Sequence, residues 1–174
     1  QILARVFDGL CARRGRTTPA GAAAGFAASV GDWPPFADTV PALAALATRY
    51  RLAVLSNVDR ASFARTAERL RASFWRVCTA EEIGSYKPDV RNFRFLLDVV
   101  ARDGVSPVQV LHVAQSLYHD HVPAKALGLA TVHVDRRAGR GGGAVVAPAG
   151  PVVPDLRVTD LAQLVHSLGI DRRA

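Results

Sequence analysis

The chain contains no methionine, only two cysteines and only two lysines. Cys11 and Cys78 lie far apart and show no metal-ligand spacing, so the sequence predicts neither a disulfide framework nor a cysteine-held metal. Two free thiols fit a reducing compartment, and we therefore expect a cytoplasmic location. No apolar run approaches the roughly 20 residues needed to cross a bilayer, so we predict no membrane-spanning segment.

The basic residues of the chain are not combined with a series of aromatic residues. The formal net charge is +7, but all except two of the 22 basic residues are arginines, and these are scattered along the sequence. A nucleic-acid-binding surface usually combines clustered basic residues with aromatic side chains on which bases stack. The positive charge therefore does not predict nucleic-acid binding.

Strand and helix patterns alternate along the sequence. Apolar runs predict strands at residues 52–56, 75–78, 110–114, 130–134 and, as an edge strand, 155–158. Helical spacing predicts helices at 2–14, 18–31, 39–49, 60–70, 89–101 and 120–127, and a last one capped by Thr159 or Asp160. This alternation predicts an α/β fold with a parallel sheet. Residues 31–38, which hold two prolines, predict a junction between a small helical part and the core.

The beginning of the chain falls on a helical pattern. Gln1 is followed by Leu3, Val6, Phe7 and Leu10 at helical spacing, with no capping residue before them. A natural chain also starts with methionine, which is usually removed only before a small residue. We therefore expect that the sequence is a fragment without its N-terminal part.

Polar side chains follow the predicted strand at residues 52–56. Ser56 and Asn57 come directly after four apolar residues. Buried parallel strands deliver functional groups to the carboxyl edge of a sheet, which makes both residues candidates for a site. A turn in which they cap the next helix explains the pattern as well, and the two interpretations are compatible.

A lysine and an aspartate lie at matching places further along the chain. Lys87 stands between Tyr86 and a proline that opens a helix, and it is one of only two lysines in a chain that otherwise uses arginine. Such a compact ammonium group would hold nearby carboxylates ionised, although a solvated lysine gives the same pattern. Asp120 follows the strand at 110–114 and could act on water or simply complement a helix dipole.

Two further patterns carry little weight. His119 and His121 flank Asp120, but residues two apart do not share a helix face, so a metal site there is not expected. The glycines at 139 and 141–143 resemble a phosphate-binding loop only superficially, because no lysine–hydroxyl pair follows them.

The segments 52–57 (LAVLSN), 86–88 (YKP) and 110–120 (VLHVAQSLYHD) together resemble the second, third and fourth motifs of the haloacid dehalogenase-like hydrolase superfamily. The likeness is to the branch with 2-haloacid dehalogenases and small-molecule phosphatases. It implies a Rossmann-like core at residues 36–174, with helices on both faces of a parallel sheet that lacks its first strand. Residues 1–35 would be the remnant of a small helical cap.

The resemblance also implies roles for individual residues. Ser56 would hydrogen-bond the transferring group, and Asn57 would cradle a leaving halide or orient the substrate. Lys87 would stabilise the negative charge of the nucleophile and substrate, and Asp120 would position the water that hydrolyses an aspartyl ester. Substrate contacts are expected from Asn57 and from three neighbouring positions, namely Tyr86, Gln115 and Ser116.

The fourth motif departs from the phosphatase pattern. Phosphatases of the superfamily usually carry Gly-Asp where this chain has Ala114 and Gln115, and that aspartate binds magnesium. A glutamine amide is a much weaker ligand for a hard cation. Gln115 therefore favours metal-free dehalogenation of a small-molecule substrate without a cofactor. The separation of five positions from Gln115 to Asp120 is that of many phosphatases, so a magnesium-dependent phosphatase stays open.

The aspartate nucleophile of the first motif is absent from the sequence. The resemblance places the missing strand between those predicted at 52–56 and 110–114, so we expect the fragment to be inactive and poorly stable alone.

A non-catalytic domain that kept the fold for binding is a further alternative. A phosphoacceptor receiver domain is disfavoured, because its acidic pair is absent. The oligomeric state is not indicated.

Overall fold

The computed structural model describes residues 2–140 and 146–170 of the chain. The described strands are β1 (Ala53–Ser56), β2 (Arg76–Thr79), β3 (Leu111–Ala114), β4 (Ala130–Val134) and β5 (Leu156–Val158). The described α-helices are α1 (Ile2–Arg13), α2 (Ala22–Ala28), α3 (Thr39–Ala47), α4 (Arg60–Leu70), α5 (Ala80–Ile83), α6 (Val90–Ala101), α7 (Val122–Ala126) and α8 (Leu161–Ser167). The predicted alternation of strands and helices is thus confirmed, whereas residues 141–143 of the glycine cluster lie outside the described residues.

Two helices begin two or more residues later than the sequence-based expectation. The helix predicted at 18–31 starts only at Ala22, because Gly21 has a left-handed backbone with φ of 76°, and it continues as a 3₁₀ turn at Ser29–Asp32. The helix predicted at 120–127 is preceded by a π-helical turn at Leu117–His121. Asp120 therefore lies inside this turn and does not open a helix.

The pairs among the described strands are parallel, and these strands form two sheets. In the first sheet β1 pairs with β2, which sets Leu55 opposite Cys78 and Ser56 opposite Thr79. In the second sheet β4 lies between β3 and β5, so the edge position predicted for β5 is confirmed. Within the described residues, β1 and β3 do not pair with each other. Their carboxyl ends carry Ser56 and Ala114, where the candidate residues begin.

Helix α6 packs against both sheets. On the first sheet it contributes Leu96 and Val100 to a cluster with Cys78, whose burial raises the pKa of its thiol to about 11. Phe93 of the same helix is fully buried and packs edge-on against the ring of His112 in β3, with 4.9 Å between centroids. Helix α6 therefore connects the strands that carry the two halves of the candidate site.

Helices α3 and α8 pack beside β4 and β5 around the largest apolar cluster. Its buried members are Ala42, Leu46, Val132, Val134, Val158, Leu164, Val165 and Ile170. Asp160 caps α8 by accepting a hydrogen bond from the Gln163 amide, which selects between the two caps considered from the sequence. Asp38 ties the N-terminal ends of α3 and α8 together, because it pairs with Arg136 and accepts from the Leu161 amide.

The first two helices pack on each other. Phe7 of α1 and Phe26 of α2 place their rings 5.4 Å apart, while Val6 and Leu10 of the predicted apolar face stay about half exposed. The 3₁₀ turn after α2 is hydrogen-bonded to α4, because Arg69 of α4 donates to the Gly31 carbonyl. None of the helices in the described part of the chain is long and apolar enough to span a membrane.

Candidate functional site

Lys87 bonds to β1 of the first sheet and to the π-helical turn that follows β3 of the second. Its Nζ donates to the carbonyl of Leu55 in β1 at 2.9 Å and to Oδ1 of Asp120 at 2.6 Å. The Lys87 side chain is 12% exposed and that of Asp120 is 8% exposed, so the pair is largely shielded from water. A buried pair of this kind is sensitive to the loss of either partner, because the remaining charge would be uncompensated.

Asp120 receives a second hydrogen bond on the same oxygen. His112 of β3 places Nε2 3.0 Å from Oδ1, and since a carboxylate only accepts, the imidazole donates. Burial by itself raises the pKa of Asp120, but the hydrogen bond from His112 and the charge of Lys87 outweigh it and hold this pKa below its usual range. Asp120 is therefore an ionised carboxylate in a nearly dry setting.

Asn57 contacts the main chain of Lys87 with both ends of its amide. Oδ1 accepts from the Lys87 amide at 2.7 Å, and Nδ2 donates to the Lys87 carbonyl at 3.0 Å. The segments at 52–57 and 86–88 are thus joined through this side chain. The amide of Asn57 fixes the backbone from which the Lys87 side chain extends.

Ser56, Tyr86 and Gln115 have side chains that form no hydrogen bond to another described residue. Ser56 ends β1 and is partly buried, whereas Tyr86 is 53% exposed and Gln115 is also exposed. Their polar groups are thus free of partners in the described part of the chain. Such groups at the carboxyl edge of a parallel sheet are available to a ligand.

Ser116 has a structural partner. Its Oγ accepts from the His119 amide at 3.0 Å and lies 3.0 Å from Nδ1 of the same residue, which caps the π-helical turn. His119 therefore points back to Ser116, while His121 is fully buried on the other side of the turn. The two histidines do not converge on a common ligand.

Two buried histidines hold the main chain where β3 ends. His121 donates from Nε2 to the Ala114 carbonyl at 3.1 Å, and His133 of β4 donates to the Gln115 carbonyl at 3.0 Å. Burial lowers the pKa of both rings, so they are neutral Nε2–H tautomers. Nδ1 of each ring is buried without a partner in the described structure.

The sequence did not identify His112, His121 and His133 as part of the site. The sequence did contain a signal, because His112 and His133 are polar residues within apolar strand patterns and His121 follows such a pattern. A histidine in a strand is nevertheless compatible with many surroundings, and its partner cannot be read from spacing. In the structure His112 donates to Asp120, while His121 and His133 hold the main chain at Ala114 and Gln115, just before the turn that contains Asp120.

The described residues do not form a magnesium site by themselves. No group of three or more His, Cys, Asp or Glu in the described ranges is arranged to hold a metal ion. Asp120 is the carboxylate at the site, and its Oδ1 already accepts from Lys87 and His112. A hard cation of this size prefers several oxygen ligands, usually with carboxylates among them. Among the described residues, one carboxylate whose Oδ1 already accepts two hydrogen bonds does not meet that requirement.

Comparison with known proteins identifies the fold. No family model and no curated protein matches the sequence. Among solved structures, an L-2-haloacid dehalogenase from Xanthobacter autotrophicus with chloropropionic acid covalently bound is 19% identical, with a TM-score of 0.79 over 95% of this chain and 74% of that chain. The magnesium-bound HAD-hydrolase YfnB from Bacillus subtilis is 17% identical, with a TM-score of 0.77 over 96% and 71%.

A phosphatase also shares the fold. The HAD phosphatase from Thermococcus onnurineus is 22% identical, with a TM-score of 0.62 over 97% of this chain and 88% of that chain. The chain therefore has the Rossmann-like α/β fold of the haloacid dehalogenase-like superfamily, as the resemblance implied. At these identities the dehalogenases and phosphatases are equally compatible with the fold.

Proposed function

We propose that the complete protein is a hydrolase that removes the halogen from a small 2-haloacid through an aspartyl ester. The observation that carries this proposal is the shielded Lys87–Asp120 pair. Ser56 at the end of β1 and Gln115 directly after β3 add side chains that have no partner among the described residues. A fixed ammonium group next to an ionised carboxylate suits a substrate that is itself an anion. Gln115 in place of a carboxylate favours chemistry without a metal.

The proposed reaction has two displacement steps. A carboxylate oxygen first attacks C2 of the haloacid, so that a C–O bond forms and the C–halogen bond breaks with its electron pair going to the halide. Water then adds to the ester carbonyl, and the alkyl oxygen leaves with one proton of that water as a 2-hydroxyacid. The other proton goes to solvent through Asp120, and the carboxylate is regenerated.

Each site residue has a role in this scheme. Lys87 balances the negative charge of the nucleophile and the substrate, and Asn57 holds its backbone in place. Ser56 hydrogen-bonds the transferring group with its unpartnered hydroxyl. Tyr86 and Gln115 face the substrate, and the Ser116 turn shapes the adjoining wall.

The nucleophilic carboxylate is not assigned to a residue of this sequence. In the described residues Asp120 is the carboxylate bonded to Lys87, and its use of water in the second step excludes it from the first. We therefore propose that these 174 residues alone do not turn over substrate. The complete gene product is the protein to test.

A magnesium-dependent phosphatase is the second candidate. The separation of five positions from Gln115 to Asp120 favours it, since many phosphatases of the superfamily share that spacing. Gln115 argues against it, because an amide oxygen is a much weaker ligand for a hard cation than the aspartate it replaces. A non-catalytic binding domain is favoured only by the presence of Gln115 itself.

The test uses the complete gene product with 2-chloropropionate and with p-nitrophenyl phosphate, each with EDTA and with added magnesium. We expect halide release that EDTA does not change. Magnesium-dependent phosphate release without halide release would overturn the dehalogenase proposal in favour of the phosphatase. No turnover of either substrate by folded protein would overturn both in favour of a binding domain.

Matched variants test whether halide release depends on the Lys87–Asp120 pair. Asp120→Asn and Lys87→Met should abolish measurable halide release. Lys125→Met, which removes the other lysine of this sequence, should keep it, because Lys125 is part of an ion pair with Asp155 outside the site. Equal loss in all three variants would show that the activity does not depend on the Lys87–Asp120 pair.

A further inference from the structure

We propose that His112 is a positioning residue that fixes the orientation of the Asp120 carboxylate. This inference rests on the proposed function, because it concerns the carboxylate that handles water in the second step. His112 and Lys87 both donate to Oδ1 of Asp120, at 3.0 Å and 2.6 Å. Among the described residues no hydrogen bond goes to Oδ2. The two donors therefore leave Oδ2 as the oxygen that can accept a proton from water.

The ring of His112 is itself held in one place. It extends from β3, where the strand is paired with β4, and its side chain is 11% exposed. Phe93 packs edge-on against it, with a centroid distance of 4.9 Å and an interplanar angle of 66°. The ring of His121 lies on another side, at 6.5 Å. Packing of this kind restricts the ring to one plane, so the direction of the Nε2–H bond is defined.

A second donor adds something that Lys87 does not supply. The ammonium group of Lys87 is a compact charge on a flexible stem, and it is shared between Asp120 and the Leu55 carbonyl. It attracts the carboxylate without selecting the rotation of its plane. A planar imidazole donor from a paired strand fixes which oxygen faces inward. The consequence is a carboxylate that presents the same oxygen to water in every turnover.

The titratable and charged groups around His112 are few. Asp120 lies in the π-helical turn, Lys87 follows α5, and His121 lies at the end of the same turn as Asp120. Of these, Asp120 and Lys87 carry charge near neutral pH, and the bond from His112 helps to keep the pKa of Asp120 low. Removing the His112 donor should therefore raise the pKa that governs the acid limb of turnover.

The test compares two substitutions in the complete gene product. His112→Leu removes the donor and keeps an apolar side chain, and should lower kcat about 10-fold to 100-fold with little change in KM, the range expected for one charge-assisted hydrogen bond. Its acid limb should move to higher pH. His112→Gln carries an amide donor at a similar reach and should recover most of the rate and the original acid limb. His166→Leu, at an exposed histidine of α8, is the matched control and should behave as wild type.

Two results would overturn the assignment. One is a loss of rate in His112→Leu with an unmoved acid limb and no recovery in His112→Gln, which would mark a purely structural role. The other is a spectroscopic result, which is needed when the wild-type protein turns over neither substrate and the proposed function itself fails. In that case ¹⁵N spectra of the His112 ring are compared in wild type and Asp120→Asn. A change in the ring signals supports the contact that orients Asp120, and unchanged signals refute it.

Discussion

The side-chain amide of Asn57 forms two hydrogen bonds with the main chain of Lys87: it accepts from the Lys87 N–H at 2.7 Å and donates to the Lys87 carbonyl at 3.0 Å. These two bonds connect the end of β1 to a residue 30 positions later in the chain. They set the point from which the Lys87 side chain reaches Asp120. The residue expected to touch the substrate is thus also the one that places the cation.

We predict that Asn57→Asp lowers both stability and turnover. Aspartate keeps an acceptor for the Lys87 amide but replaces the donor with an anion that faces the Lys87 carbonyl oxygen. The cost should be about 1–3 kcal/mol in the free energy of unfolding, measured by urea denaturation.

The control for this variant is Asn92→Ala. Asn92 is buried and donates to Ser85 and to the Asp89 carbonyl, away from Lys87. It should also destabilise the protein, but it should leave kcat unchanged. If both variants lose kcat in proportion to stability, Asn57 has no specific link to the site.

The second prediction concerns the two lysines. Lys87→Met should cost about 3–5 kcal/mol of stability, because it leaves the Asp120 charge buried beside one remaining donor, His112. Lys125→Met should cost about 1 kcal/mol or less, since the pair of Lys125 with Asp155 is much more exposed. Urea denaturation at pH 7 measures both. Similar costs for the two variants would show that the Lys87 pair is as well solvated as a surface pair.

The two serines of the site should separate stability from activity. Ser56→Ala should change the free energy of unfolding by no more than about 0.5 kcal/mol, because the hydroxyl has no partner among the described residues. It should still lower turnover if that hydroxyl contacts the transferring group. Ser116→Ala should instead cost about 1 kcal/mol, because Ser116 caps the π-helical turn. A large loss of stability in Ser56→Ala would contradict this division of roles.

The sequence predicted the main elements because their patterns are local. The strand at 52–56 and the helix at 60–70 lie within one residue of the observed β1 and α4, since apolar spacing and the Asp59 cap act over a few residues. The π-helical turn around Asp120 was missed. It depends on Ser116 as a cap and on the buried contact of His121 with Ala114, which no short-range pattern reveals.

The candidate site was predictable in part for a related reason. Parallel strands bring their carboxyl ends to one edge, so the proximity of the three polar segments follows from the strand order. The bonds that give each side chain its role are not local. The contact of His112 with Asp120 requires a π-helical turn that folds back over β3. The hydrogen bonds of Asn57 with the main chain of Lys87 join residues 30 positions apart. These contacts are set by tertiary packing.

The last prediction is a loss of stability in mild acid caused by His121 and His133. Burial lowers the pKa of both rings below the ordinary value of 6.5, and a proton added at Nδ1 of either ring would find no hydrogen-bond acceptor in the described structure. As the pH falls through about 6.5, the unfolded chain takes up protons that the folded protein does not. The stability contributed by the neutral rings is therefore complete above that pH and is lost below it.

The free energy of unfolding should fall between pH 7 and pH 5, with a slope of up to about 1.4 kcal/mol per pH unit for each histidine. The pKa of Asp120 is lowered, so its own contribution is lost only in stronger acid, and the two effects occupy separate pH ranges. His121→Gln and His133→Gln keep an amide donor for the Ala114 and Gln115 carbonyls but cannot be protonated. Each should reduce the slope, and the double variant should nearly remove it in urea denaturation from pH 5 to pH 8. A double variant as steep as wild type would show that other groups cause the loss, whereas a flat profile would trace the acid sensitivity to the two histidines that hold the Ala114 and Gln115 carbonyls.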